Sequence, residues 1–221
     1  MDLRKIIKQH SFRDLGVYSV YLLFISFMRI YSTFTFRIKC KIIGVNYGKH
    51  PNIWGKVYIH RFPGSRINIG DNVRIISSPY RYSLNIFTQS KLRTMSPTSR
   101  ITIGNNVGFD SISILARSKT ISIGDNTLIG GNCQIMDTDG HPTWPPESRW
   151  SYPGDEHDAD VHIGRDVFIG LNVIILKGVT IGDNSVLAAG SVVNRSIPAN
   201  CLAAGIPAQV VKQFIHDSSA H

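Results

Sequence analysis

From Ile163 onward every sixth residue is aliphatic: Ile163, Ile169, Ile175, Ile181, Leu187 and Val193. Neither a helix repeating every 3.6 residues nor a strand alternating every two produces that spacing. A β-sandwich with Gly/Asn turns does not hold one interval over six steps either. The spacing predicts one short strand and one turn per six residues, three such units closing a triangular coil. Inward aliphatic side chains then stack on their equivalents in the next coil, about 4.8 Å away. The same register appears upstream. Ile103, Phe109, Leu115 and Ile121 step by six, and after a two-residue offset Ile123, Ile129 and Ile135 follow. Ile69-Gly70-Asp71-Asn72, Ile123-Gly124-Asp125-Asn126 and Ile181-Gly182-Asp183-Asn184 repeat one phrase, with Ile103-Gly104-Asn105-Asn106 a variant. Its last two residues supply turn chemistry. Each coil buries its side chains only against its neighbours, so the expected domain is a prism-shaped solenoid.

The 221 residues fit one or two domains, and 43% hydrophobic residues suffice for a core. Charged residues make up 18%, which excludes both a disordered chain and a multi-span membrane protein. Cys40, Cys133 and Cys201 lie far apart without disulfide or metal-ligand spacing, as suits a reducing compartment. Of the formal net charge of +9, residues 1–50 carry +7, with nine basic residues against Asp2 and Asp14. These cations flank an apolar segment and match no nucleic-acid motif, so an anionic membrane surface is the better partner and no nucleic acid is expected.

That segment runs uncharged from Leu15 to Met28, is interrupted by Arg29, and continues from Ile30 to Phe36. An Arg within so short a window argues against a bilayer span. The first alanine is Ala116, so no small-residue cleavage site follows and secretion is not expected. Three readings stand: a helix packed on the domain or a sister subunit, a helix in the membrane interface, and a span. The expected location is cytoplasmic, with peripheral contact to the inner membrane face through residues 1–41.

The period breaks between Ile135 and Ile163. The loop 137–160 holds seven acids, Arg149 as its one base, and Trp144, Trp150 and Tyr152. So long a loop on a compact scaffold is usually functional or mobile. Its carboxylates lack the order of a known calcium loop, and no metal is expected. His60, His157 and His162 are too scattered for a zinc set. His141 sits where the repeat ends, with Asp137 and Asp139 four and two residues before it. Either carboxylate could fix the imidazole tautomer, grip sugar hydroxyls, or merely cap the turn.

The run Val161-His162-Ile163-Gly164-Arg165-Asp166-Val167-Phe168-Ile169-Gly170 resembles the hexapeptide-repeat acyltransferases. So do Ala189-Gly190-Ser191-Val192-Val193, Ile197-Pro198-Ala199-Asn200 and Ala204-Gly205-Ile206-Pro207-Ala208. The resemblance covers about residues 53–212 and is most specific over 129–212. It is nearest to the maltose/galactoside O-acetyltransferase branch and its relatives in polysaccharide biosynthesis. It implies a mainly β chain built on a left-handed parallel β-helix (51–212) from which the loop 137–160 is extruded; the basic, apolar helical segment read above (1–50) precedes it, and a C-terminal tail (213–221) follows, with a short helix or extension at the end. It also implies a homotrimer and acetyl-CoA as donor.

Carried over residue by residue, the resemblance makes His141 the catalytic base, with Asp137 and Asp139 beside it. An imidazole can take a proton from a sugar hydroxyl as the oxygen attacks a thioester, with no covalent intermediate. Coenzyme contacts fall on Leu171, Ala189, Asn194, Arg195 and Lys212. Gln209 stands where the family usually has a basic residue, which removes one phosphate contact. A family asparagine that touches the sugar aligns with Asp110, which accepts but does not donate at neutral pH. A different acceptor from maltose or galactosides is therefore expected. Trp144, Trp150 and Arg149 complete the acceptor side, the rings by stacking on a sugar or by packing on the prism. The implied function is O-acetylation of a sugar hydroxyl on a bacterial surface polysaccharide or its lipid-linked or nucleotide-linked precursor. The alternatives are N-acetylation of an amino sugar nucleotide and O-acetylation of a free sugar or serine. Ser77–Ser99 fits no period and reads as an excursion over the acceptor site.

Overall fold

The computed structural model describes residues 11–150 and 154–214. Arg4, Lys5, Lys8, Tyr152 and most of the expected tail 213–221 lie outside the described residues.

The chain begins with one long helix, α1 (Phe12–Ile43). The Ser11 side chain accepts from the Asp14 amide at its start, and Gly44 in the left-handed region (φ +70°) ends it. Ser32, Phe36 and Cys40, spaced by four, form the buried stripe. They seat the C-terminal half of α1 on the strand Asn52–Gly55, where the Gly55 amide donates to Ser32 Oγ at 3.0 Å. Arg29 and Arg81 both lie over the Trp54 ring, at 5.7 and 5.1 Å from its centroid. The packed reading of this helix therefore holds for one stripe only. Its other faces, including Val20, Leu23, Phe27, Ile30 and Phe34, are exposed.

Beyond the helix, strands run from Asn46 to Gln213 in three sheets, here faces A, B and C. Every pairing is parallel except the last, where Ala208–Gln213 folds back antiparallel on Cys201–Gly205 and forms the expected terminal extension. The rows stack in register. Face A aligns Ile69, Ile103, Ile123, Ile163 and Ile181. Face B aligns Ile53, Ile75, Phe109, Ile129, Ile169, Leu187 and Ala203. Face C aligns Ile59, Leu92, Ile114, Ile135, Ile175 and Val193. One inward position differs from the six-residue count: Ile114, fully buried, takes the place expected of Leu115. The turn with Ser111 at φ +49° closes one residue early, and the next corner, Arg117–Lys119, is three residues longer than the period, so Ile123 falls 20 residues after its partner Ile103.

The repeated Ile-Gly-Asp-Asn phrase has a physical account. A Cβ at Gly70 would lie 2.5 Å from the Gly104 carbonyl oxygen, so adjacent coils approach too closely for a side chain there. Asp125 and Asp183 accept the amides of Asn105 and Arg165 in the preceding coil, at 2.6 and 2.8 Å. The closing residue adopts positive φ, near +57 to +60° at Asn72, Asn126, Asp166 and Asn184. These side chains form a ladder, Asn72 to Asn106 to Asn126 to Asp166, at 3.0 Å per step.

Excursions leave the prism at two corners. The stretch 78–90 leaves between faces B and C, and the loop 137–160 leaves between C and A. Ser77 and Lys91–Thr94 are regular strand, so the excursion is shorter than the period-free stretch 77–99 suggested. It lies back on the prism through Tyr82, whose hydroxyl accepts from the Gly131 amide, and through the Phe87 amide, which donates to Asn132.

Candidate active site

The loop 137–160 is held at its base by one cation that the sequence did not mark. Arg117, at the widened corner of the preceding coil, donates to Asp158 through Nε (2.9 Å) and through a terminal nitrogen (2.6 Å). It also donates to the carbonyls of Gly140 (2.9 Å) and Gly154 (2.7 Å), clamping both limbs of the loop. The Asp158 side chain is fully buried. Burial would raise its carboxyl, but hydrogen bonds from Arg117, Ser118 and Thr138 bring it below the usual carboxylate range. A guanidinium in mid-chain with no motif around it gives no sequence signal, since its partners lie 23 to 41 residues away.

Asp137 does not touch the imidazole. It is buried and accepts the amides of Arg117, Ser118 and Lys119, at 2.7, 3.1 and 2.9 Å. Burial pushes its carboxyl up, against those three donors. Asp139 instead pairs with Lys177 Nζ at 2.5 Å, tying the loop to the next coil. Of the readings open for the two carboxylates, the geometry supports turn capping for Asp137, whereas the ion pair of Asp139 with Lys177 is a role that was not among them.

His141 is oriented by a different group. Its Nδ1 lies 2.9 Å from the Arg149 carbonyl oxygen. A carbonyl only accepts, so Nδ1 carries the proton and donates. The neutral ring therefore keeps its lone pair on Nε2, which has no hydrogen-bond partner among the described residues. His141 itself is exposed. The exposed Arg149 guanidinium donates through one terminal nitrogen to the Thr143 carbonyl at 3.2 Å. Trp144 and Trp150 are 78% and 93% exposed, and Trp150 sits 6.1 Å from the His141 ring. Neither indole packs on the prism, which leaves both ring faces available.

Across the prism a groove of about 450 Å³ runs along face B. Leu171 and Ala189 line it together with Asp110, Tyr82 and Arg74. The structure thus joins two of the expected coenzyme contacts to the expected acceptor residue. Burial pushes the Asp110 carboxyl up to about 6, against the pull of Arg74 and Arg81. Its Oδ1 is buried without a partner, as suits an acceptor aimed at a missing donor. Tyr82 belongs to the excursion 78–90, so that stretch does reach this groove. Asn194, Arg195 and Lys212 do not line it; all three are exposed nearer the C-terminal end. Lys212 pairs with Leu202, which pairs with the groove residue Val186, two strand spacings or about 10 Å away.

His141 does not line the groove. Its loop leaves from the corner between faces C and A, opposite face B. All three cysteines are buried and unpaired, and burial pushes the Cys40 and Cys133 thiols up to about 12 and 11, away from nucleophilic use. His162 meets Ser122 and His157 meets Glu156.

The sequence profile described as the hexapeptide repeat of succinyl-transferase matches residues 120–140 and 160–195. Galactoside O-acetyltransferase of Escherichia coli is 40% identical over 123 residues, which is 56% of this chain and 58% of that protein. WbbJ of the same organism, named as a candidate lipopolysaccharide biosynthesis O-acetyl transferase, is 33% identical over 128 residues, 53% of this chain and 63% of its own. The chain thus spans about 60% of the length of these curated relatives. Among solved structures, the Bacillus cereus N-acyltransferase AntD superposes with a TM-score of 0.58 at 20% identity, over 80% of this chain and 88% of its own. A hexapeptide-repeat acetyltransferase from Vibrio cholerae superposes with a TM-score of 0.51 at 22% identity, over 96% and 98%. These two likenesses bear on the fold, a left-handed parallel β-helix, and the sequence relatives on descent. The stacked rows, the ladder of turn residues and the matched repeat all fall in one register, so the chain carries a hexapeptide-repeat β-helix similar to that of these acyltransferases.

Proposed function

We propose that the protein transfers an acetyl group from acetyl-CoA to a sugar hydroxyl of a surface polysaccharide or its precursor. The observation that carries this reading is the bond from His141 Nδ1 to the Arg149 carbonyl, which leaves Nε2 bare on an exposed loop. A base so placed takes the proton of an alcohol as its oxygen attacks an acyl carbon. Acetyl-CoA supplies that carbon already activated as a thioester. The groove fits the donor: Gly130, Gly170, Ala188 and Ala189 give it a narrow, largely apolar wall. Arg195 and Lys212 stand exposed beyond it as phosphate partners.

Base and groove lie on opposite sides of one prism, so a complete site needs a second copy. The loop of one protomer against face B of the next is a heterologous contact, and three such contacts close a ring. Leu128 and Phe168, apolar and exposed in the lining of the groove on face B, are part of the surface such a neighbour would cover. The functional unit is then a homotrimer. The direct test is release of free thiol from acetyl-CoA. It should require an oligosaccharide bearing hydroxyls only and yield an acetyl ester; thiol release solely with an amino sugar would overturn the O-acetyl assignment.

The exposed faces of α1 belong to the same proposal. Leu23 and Phe27 are 71% and 64% exposed, and the apolar surface wraps the N-terminal half of the helix rather than forming a single seam. A helix apolar all round suits lipid better than one partner helix. The helix Phe12–Ile43 is long and apolar enough to cross a bilayer, with Arg29 interrupting its apolar segment. It then meets the membrane through these faces, with Arg13, Arg37 and Lys41 at anionic headgroups. The protein should float with phosphatidylglycerol vesicles at low salt, and Leu23→Glu with Phe27→Glu should abolish flotation. Wild-type protein that stays at the bottom of the gradient would refute membrane contact and leave self-association of α1 as the reason for its apolar surface.

A further inference from the structure

The charge is not confined to the N-terminal segment. Residues 51–100 hold eight Lys/Arg against Asp71 alone, whereas residues 101–221 hold seven against twelve acids. The excess acid of the later coils hides a strongly basic early prism in the chain total. Part of that charge converges on a cavity of about 640 Å³ on the outer side of face C. Lys39, His60, Lys91 and Arg93 line it, with Tyr58 and Ser113 as hydroxyl donors. No carboxylate lines it, and none of Lys39, Lys91 and Arg93 has an ion-pair partner among the described residues. Arg93 Nε is buried without any hydrogen-bond partner. A desolvated guanidinium nitrogen left unpaired costs free energy unless an acceptor arrives.

We propose that this cavity binds the phosphate or diphosphate ester of the acceptor. The proposal rests on the sugar-acceptor reading above and narrows it to a phosphate-linked sugar. Several converging cations with no acid among them select a multiply charged anion, and a guanidinium with flanking hydroxyls is the donor set phosphate oxygens take. The position agrees. Arg93 is in register with Leu115 and Leu115 with Met136, so the cavity lies two strand spacings, about 10 Å, from the residue before the His141 loop. A second cleft of about 320 Å³, lined by Met28, Tyr31, Phe36 and Val57, shares Lys39 with the first. An apolar cleft that meets a basic cavity offers room for a lipid tail behind a diphosphate. A nucleotide diphosphate presents the same phosphate chemistry.

Inorganic pyrophosphate titrated calorimetrically into the full chain, with coenzyme A saturating, isolates this site from any coenzyme phosphate contacts. Saturable binding should weaken at least tenfold in Arg93→Gln and in Lys91→Gln, and should be unchanged in Arg66→Gln on face A. Lys91 is exposed, so its variant reads the site even where Arg93→Gln perturbs folding. Tighter binding of farnesyl diphosphate than of uridine diphosphate identifies the lipid-linked source, and the reverse order the nucleotide-linked one. Absent binding, or equal weakening in all three variants, overturns the site while leaving thiol release with an unphosphorylated oligosaccharide intact. Loss of thiol release with pyrophosphate binding retained would instead overturn the transferase reading.

Discussion

Alanine at position 141 should lower kcat by about 10² to 10⁴, the range associated with removal of a positioned general base. The KM for acetyl-CoA should change little, because His141 does not line the groove. Folding should be unaffected: the ring is exposed, and its one hydrogen bond among the described residues is to a loop carbonyl. Asparagine at this position would keep a donor to the Arg149 carbonyl but replace the basic ring nitrogen with a non-basic amide oxygen, so it should be as inactive as alanine. A loss below fivefold in either variant would remove His141 from the chemistry. The same substitution tests the assembly. Subunits carrying His141→Ala, reassembled with subunits whose groove is blocked by Ala189→Trp, each lack one half of the site. In a closed ring about a quarter of the interfaces in an equal mixture pair an intact loop with an open groove. Activity should reappear to that extent, and no recovery on mixing would place loop and groove within one chain.

The second large effect concerns Arg117. Removing a partner from a buried ion pair typically costs about 3–5 kcal/mol, because the other charge stays behind uncompensated. In Arg117→Ala the carboxylate of Asp158 and the carbonyls of Gly140 and Gly154 would all lose a donor. The prism rows do not depend on this side chain, so the expected outcome is local: the loop detaches while the coils stay folded. Hydrogen exchange of amides in 137–160 should rise by about 10² to 10³, with little change in the strands of face A. Turnover should fall with it, through displaced His141. Uniform loss of protection over the whole chain would show that the clamp supports the prism rather than the loop.

The solenoid was legible in the sequence because each rung repeats one physical demand, an inward aliphatic residue followed by a tight turn. Even the slip at Leu115 had a trace, the two-residue offset before Ile123, although not its location. The site was legible only in part. His141 stood out because it follows the end of a period and because the family resemblance places a histidine there, whereas its hydrogen-bond partner could not be read, since the Arg149 carbonyl has no side-chain identity. The acids at positions 137 and 139 drew attention by proximity in sequence, yet their partners lie on neighbouring coils. Arg117 and the cavity of face C were hidden for a related reason. Their charges serve contacts brought together by stacking, and composition averages them against acids elsewhere in the chain.

Insertions at the two corners carry a consequence for descent. A rung is held by the rungs above and below it, so lengthening a corner leaves every buried row in place and adds a closure cost that grows only with the logarithm of the added length. New segments can therefore be grafted or exchanged there without re-solving the interior, while the groove on face B stays as it was. Under the proposed function, selectivity for the alcohol and retention of the thioester are in this way free to diverge between lineages.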